Sequence, residues 1–315
     1  MAKKFLLSFL ACLLISTVLL GIDHAVADTV CDSAAAGTSG CFFSRGVHNE
    51  YLCDSGSIDC SPSRNATDPQ DPEYSDWWIS DWTMYRIFQN YEDNPPPYNN
   101  PPEGLAPDDY EVSYGTTYYD ATYIPDDGDG IGAMREDYLE RCLPLFPTGN
   151  EYSCSYISLG NKAYFLKYED ESLNVTTANI CLFSPGNHPP ERDFIQHLPY
   201  SPEDSERLND SVLAYRDEAI DDAEDLFGYA FNKQTEEDGY QYPQSFYFSG
   251  NRDPNNGTYA PIISQHYSNF RVEKPELQIW SEIEQKVKTS SSAGDLCQLP
   301  DSKSVSHGYS QSLIK

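Results

Sequence analysis

Three groupings in this chain have residue types that could do chemistry. The densest polar one is Asn187-His188-Pro189-Pro190-Glu191-Arg192-Asp193-Phe194-Ile195-Gln196-His197. His188, Asp193 and His197 could supply two imidazoles and a carboxylate to a metal, leaving coordination positions open for substrate, which makes them the catalytic candidates of an exported metal enzyme. The usual motifs of that kind are spaced differently, and His48, His266 and His307 offer no completion. The same letters also describe a proline-stiffened loop whose histidines hydrogen-bond the backbone. A second grouping is Asp126-Asp127-Gly128-Asp129-Gly130, with Glu136 and Asp137 a little later. A Ca²⁺ loop needs alternating oxygens, a glycine for the sharp turn and a closing carboxylate, and Asp127, Asp129 and Glu136 fall at matching offsets. Pro125 at the first ligand position departs from a regular EF-hand, and a plain β-turn explains the same residues. The third grouping is aromatic: 24 tyrosines and 14 phenylalanines, rings suited either to an ordinary core or to the wall of a cavity that holds an amphiphile.

The common catalytic signatures are missing. There is no G-x-S-x-G elbow, P-loop, H-E-x-x-H helix, C-x-x-C-H haem site or G-x-G-x-x-G fingerprint. An enzyme is still open, since triads assemble from distant residues, but it is the weaker expectation.

The elements and the compartment that would position these groups come next. Lys3 and Lys4, an apolar run from Phe5 to about Leu20, and Ala25-Val26-Ala27 have the order of a cleavable secretory signal, residues 1–27. No other segment is long and apolar enough to cross a membrane as a helix. The chain carries 50 acidic and 20 basic residues. Removing Lys3, Lys4 and Asp23 with the signal leaves 49 against 18, a net charge of −31. Nucleic acid is excluded as a partner on that balance, because phosphate binding needs clustered Lys and Arg. The excess acid either keeps a secreted protein soluble or holds a hard cation such as Ca²⁺.

Cys12 would leave with the signal. The eight that remain, Cys31, Cys41, Cys53, Cys60, Cys142, Cys154, Cys181 and Cys297, predict a disulfide framework, in an extracellular setting or in a bacterial periplasm or cell surface. Their pairing is open. Their spacing suggests that four staple a small N-terminal region, 28–64, and four tie down the rest. Sequons at Asn65, Asn174, Asn209 and Asn256 fit a glycosylated surface.

Within 65–109 the spacing predicts an amphipathic helix, with Trp78, Trp82, Tyr85 and Ile87-Phe88 in step behind Ser75. A Pro- and Tyr-rich linker from Asn90 to Pro107 then marks a boundary. From Tyr110 the texture is β. Strands are predicted at Glu111–Ile124, Ile131–Cys142, Tyr152–Leu159, Ala163–Tyr168, Asn179–Phe183, Gln244–Phe248, Tyr259–Ile263 and Tyr267–Val272, joined by short turns and hence antiparallel. Ser201 to Phe227 reads as a helical insertion with an acidic, solvated face, Pro275 to Lys288 as a last helix, and 301–315 as a disordered tail. The expected class is mainly β (α+β).

The β region Gly115-Thr116-Thr117-Tyr118-Tyr119-Asp120, Gly132-Ala133-Met134-Arg135-Glu136-Asp137-Tyr138, Cys154, Ala163-Tyr164-Phe165, Cys181-Leu182-Phe183 and Tyr267-Ser268-Asn269-Phe270 resembles the ependymin-related proteins, which are similar in fold to the LolA-type lipoprotein carriers. The resemblance covers about 110–300. It implies a curved antiparallel sheet, an open half-barrel whose concave face holds a small hydrophobic ligand or lipid, in a secreted, disulfide-bonded protein that could be modulated by calcium. Two other functions stay open: an acidic extracellular matrix or cell-surface protein, and the metal-dependent enzyme above.

Overall fold

The computed structural model describes residues 65–88, 95–142, 151–170, 172–208, 211–217, 226–249 and 262–297. Ten strands form one antiparallel sheet: β1 (Trp77–Ile87), β2 (Tyr110–Asp120), β3 (Ala133–Leu139), β4 (Cys154–Leu159), β5 (Lys162–Lys167), β6 (Asn179–Pro185), β7 (Val212–Asp217), β8 (Leu226–Asn232), β9 (Pro243–Ser249) and β10 (Ile262–Arg271). Their order is β6-β5-β4-β3-β2-β1-β10-β9-β8-β7. The chain therefore starts mid-sheet, meanders out to one edge, crosses to the other and meanders back until β10 pairs with β1. The mainly β class and the antiparallel arrangement are as expected, and the sheet is open, with β6 and β7 as its edges.

One apolar cluster draws buried side chains from nine strands, and Cys181 and Phe183 of β6 pack against it. The Tyr74 ring lies 5.5 Å from Tyr119 on β2 and 6.1 Å from Phe231 on β8. Those strands are four places apart, about 19 Å in a flat sheet, so the sheet curls around this cluster as a half-barrel. Convex-face packing is separate. Helix α2 (Leu277–Thr289) drives Trp280 and Ile283 against Ile157, Tyr164, Leu166 and Ile180. Tyr98 from the proline-rich stretch packs on Tyr85, Ile87 and Ile262.

Several expectations need correction. The tryptophan segment is strand β1, not a helix. Trp78, Trp82 and Met84 face the concave cluster while Tyr85 and Ile87 face outward, so a central strand buried on both sides loses its polar alternation and mimics a helical stripe. Because β1 is central to the sheet, the 90–107 stretch is no domain boundary; its described part lies against the convex face. Within the predicted helical insertion only α1 (Pro202–Leu208) is helix among the described residues, with Asp204 N–H donating to Ser201 Oγ; Val212 and Tyr215 of the stripe lie in β7 and Leu226 starts β8, while 209–210 and 218–225 lie outside the described residues. The two strands predicted around 259–272 are one, β10.

The disulfides Cys142–Cys154 and Cys181–Cys297 close the later four cysteines among themselves. Cys142–Cys154 clips β3 to β4, and Cys181–Cys297 fastens β6 to the chain beyond α2. Cys31, Cys41, Cys53, Cys60, the signal and the tail lie outside the described residues. Among the described residues no helix is long and apolar enough to cross a membrane.

Candidate ligand-binding site

Pairing register sets what lines the concave face. Partners across neighbouring strands point the same way, so Trp78, Tyr119 and Met134 form one rung, Ser80, Thr117, Glu136 and Tyr156 the next, and Tyr267, Trp82, Gly115 and Tyr138 a third. Gly115 is required by this arrangement. A Cβ there would lie 2.2 Å from the Trp82 ring and 1.9 Å from the Asp137 carbonyl oxygen, so the missing side chain lets the indole lie flat over the strand. Trp82 then meets Tyr138 edge-on at 5.0 Å, and Trp78 stacks on Tyr119 at 5.5 Å and Phe270 at 5.2 Å.

Within these rings sits one carboxyl. Glu136 is 2 % exposed and accepts hydrogen bonds from Thr117 Oγ1 at 3.3 Å and Tyr138 Oη at 3.2 Å. Burial pushes its pKa up to about 7, against the opposing pull of its hydroxyl partners. Its charge is felt by Tyr74, Tyr138, Tyr229 and Tyr267, all of which burial already holds well above the ordinary phenol value. Gln265 on β10 lies against Glu136 and its amide helps hold the carboxyl's pKa down, yet neither Oε1 nor Nε2 has a hydrogen bond of normal geometry. Trp78 Nε1 and Trp82 Nε1 are likewise buried without an acceptor. Single ring donors are also left over on the convex side, at Trp280 Nε1 and Tyr247 Oη; Gln265 differs in that both ends of its amide lack a hydrogen bond of normal geometry. A buried amide in that state costs more than a satisfied one by roughly 1–3 kcal/mol per group, so it calls for an explanation.

A strap closes the face. The chain from Gly186 to Ser201 crosses from β6 toward α1 and β7 and lays Phe194, Ile195 and Leu198 into the aromatic cluster. Phe194 meets Tyr74 at 5.1 Å and Tyr229 at 4.9 Å. Polar contacts tether it: Tyr119 Oη donates to the Pro190 carbonyl at 2.6 Å, and Arg192 pairs with Asp76 at 2.9 Å and donates to the Tyr74 carbonyl at 2.8 Å.

The metal candidates lie on this strap. His188 is half-buried with Nδ1 2.8 Å from the Pro189 carbonyl, and Asp193 is exposed and accepts from Gln196 Nε2 at 3.0 Å. His197 lies in the short 3-10 turn Phe194–His197. Among the described residues no three His, Cys, Asp or Glu gather as a metal site. The calcium trio is not assembled either. Asp127, exposed, and Asp129, half-buried, sit at the β2–β3 turn and share Lys162, at 2.8 and 2.9 Å, which holds both carboxyls below their usual range. Glu136 is instead inside the half-barrel, because β3 alternation turns it to the concave face. Of the sequons, Asn65 and Asn174 are exposed, and Asn174 Oδ1 accepts from its own Thr176 hydroxyl at 2.6 Å; Asn209 and Asn256 fall outside the described residues. Sequence reasoning missed Gln265 and the role of Glu136. The alternation of Met134, Glu136 and Tyr138 along β3 was the available signal.

Compared with known proteins, the chain matches no family model and no curated protein.

Proposed function

We propose that the chain is a secreted carrier that binds an elongated hydrophobic ligand, lipid-like and with a polar group, against the concave face. The observation that carries this is the buried Gln265 amide, without a hydrogen bond of normal geometry, beside a carboxyl that burial inclines to the neutral form, within walls of tyrosine and tryptophan. A core meant only to be a core would fill that position with an apolar side chain or bond the amide. A ligand's ester, amide or hydroxyl would satisfy it, and its chain would take the place that Phe194, Ile195 and Leu198 of the strap now occupy. Tyrosine suits such a wall because its ring packs on hydrocarbon while its hydroxyl meets the polar group. The resemblance to the ependymin-related proteins, which implies a cupped sheet holding a hydrophobic ligand, supports the same reading. Two disulfides fit export, and glycans at Asn65 and Asn174 would project from exposed positions.

The test is native mass spectrometry of the protein purified from culture medium, before and after organic extraction and after re-addition of a long-chain fatty acid. An apolar mass that extraction removes and re-addition restores is expected. An unliganded mass throughout, with no uptake on re-addition, overturns the reading.

A further inference from the structure

A cavity of about 420 Å³ opens where β9 stops short of β10. β9 pairs with β10 only from Ile263 to His266, while β10 runs on to Arg271 against β1. Pro243, which has no N–H to donate, begins β9 and ends the ladder there. The resulting notch cuts into the sheet from its convex side. His266, Ser245, Asn232, Gln244, Asn269 and Ser268 supply its polar lining, and Tyr98, Tyr242, Tyr267 and Phe270 its rings. Tyr267 and Phe270 also pack against the concave cluster, and Phe270 stacks on Trp78, so the notch abuts the interior site.

The lining's chemistry is unusual for this chain. With 50 acidic and 20 basic residues overall, no Asp, Glu, Lys or Arg lines the notch. Its histidine is neutral at ordinary pH, since burial lowers His266 to about 4. The carboxylates directly behind the lining are tied to it: Asp81 accepts from Asn269, Glu103 from Asn99 and Asp238 from Tyr242. Arg207, Lys233 and Arg271, each next to a lining residue in the chain, lie outside the lining, and the two arginines pair with Asp204 and Glu273. A phosphate, sulfate or carboxylate would therefore find no counter-charge and an acidic background. Amides and hydroxyls beside an aromatic ring match an uncharged, hydroxyl-rich group: the amides exchange hydrogen bonds with hydroxyls, and Tyr242, its ring braced on Phe270 at 4.5 Å, adds an apolar surface for a sugar's C–H groups.

We propose that this notch binds an uncharged sugar or polyol group, the head of the amphiphile whose chain lies on the concave face. The link to the chain rests on the carrier reading; the sugar site itself does not. The experiment titrates the full-length secreted protein, observed by NMR, with methyl β-glucoside and with three six-carbon-chain compounds, hexyl β-glucoside, hexyl phosphate and hexyltrimethylammonium. Methyl glucoside is expected to shift resonances of the notch, with hexyl glucoside binding at least tenfold tighter than either charged analogue. The double variant Asn232→Ala/Gln244→Ala should weaken both glucosides at least fivefold, and Tyr242→Leu, a separate rim change, should do the same. Notch resonances unmoved by methyl glucoside, or equal affinity for all three hexyl compounds, would overturn the sugar site. Failure of every hexyl compound to perturb concave-face residues would instead overturn the carrier reading, with the sugar site still judged by methyl glucoside.

Discussion

Replacing Glu136 with glutamine isolates the energetic consequence of a carboxyl inside the aromatic half-barrel. The shift from the ordinary 4.5 to about 7 corresponds to about 3 kcal/mol between the two protonation states. The sign follows from the raised folded value. Below about pH 4.5 the carboxyl is protonated in both folded and unfolded chains and its contribution is fully present. As pH climbs toward 7 the unfolded chain releases the proton while the fold retains it, and stability is lost across that window. Above 7 the loss is complete. Glu136→Gln keeps the shape and titrates nothing, so its stability relative to the parent should grow by up to about 3 kcal/mol between pH 4 and pH 8, roughly 6–12 °C in Tm for a domain of this size. Urea unfolding of both proteins at pH 4, 5.5, 7 and 8 measures it, and the difference between the two cancels the many surface carboxylates. The groups facing Glu136 (Thr117, Tyr138, Gln265 and the Tyr74, Tyr229 and Tyr267 rings) are the same in both proteins. A difference that stays constant from pH 4 to 8 would refute the buried, proton-retaining carboxyl.

Three further outcomes follow from the packing. Gly115→Ala places a methyl where the Trp82 ring and the Asp137 carbonyl already are, so it should cost about 2–3 kcal/mol and shift tryptophan emission; an unchanged spectrum would count against the stacked indole. Removing Cys181–Cys297 as a double alanine variant opens a loop with 116 residues of separation and should cost about 4–5 kcal/mol on a chain-entropy argument, measured against the parent by thermal unfolding; a cost under about 1 kcal/mol would contradict it. Trp280→Ala empties the convex-face contact under α2 and should cost about 3–5 kcal/mol in urea without altering ligand uptake, which separates the two faces of the sheet.

Where turn residues punctuate short strands the sequence was legible, even though β3 to β5 are buried on both faces. β2 to β6 were placed within a few residues, because turns such as Asp126–Gly130 and Gly160-Asn161 punctuate them. The later four cysteines closed among themselves, as their spacing suggested. The misread stretches, β1 and β7, are buried on both faces and also space their apolar residues at a helical period. In β1 the outward Tyr85 and Ile87 meet Tyr98, and in β7 Val212 to Tyr215 are buried without a break, so period-2 alternation vanishes and a helical period fits equally well. The site suffered from the same ambiguity in reverse. Glu136 stood close in sequence to Asp127 and Asp129 and invited a calcium reading, but the strand between them carried it 2 % exposed into the interior while the aspartates stayed at the turn with Lys162. Gln265, the residue that argues most for a ligand, lies on a strand far along the chain from Glu136, and only the curl of the sheet brings them together.

The central claim is that the concave face holds an apolar chain. The most direct measurement is photo-crosslinking with a fatty acid carrying a diazirine in mid-chain, followed by peptide mapping of the full-length protein. Labelling at concave residues such as Trp78, Trp82, Tyr138 or Phe246, competed away by unlabelled fatty acid, is the predicted result. Labelling confined to convex residues around Trp280, or none that competitor reduces, would contradict the account.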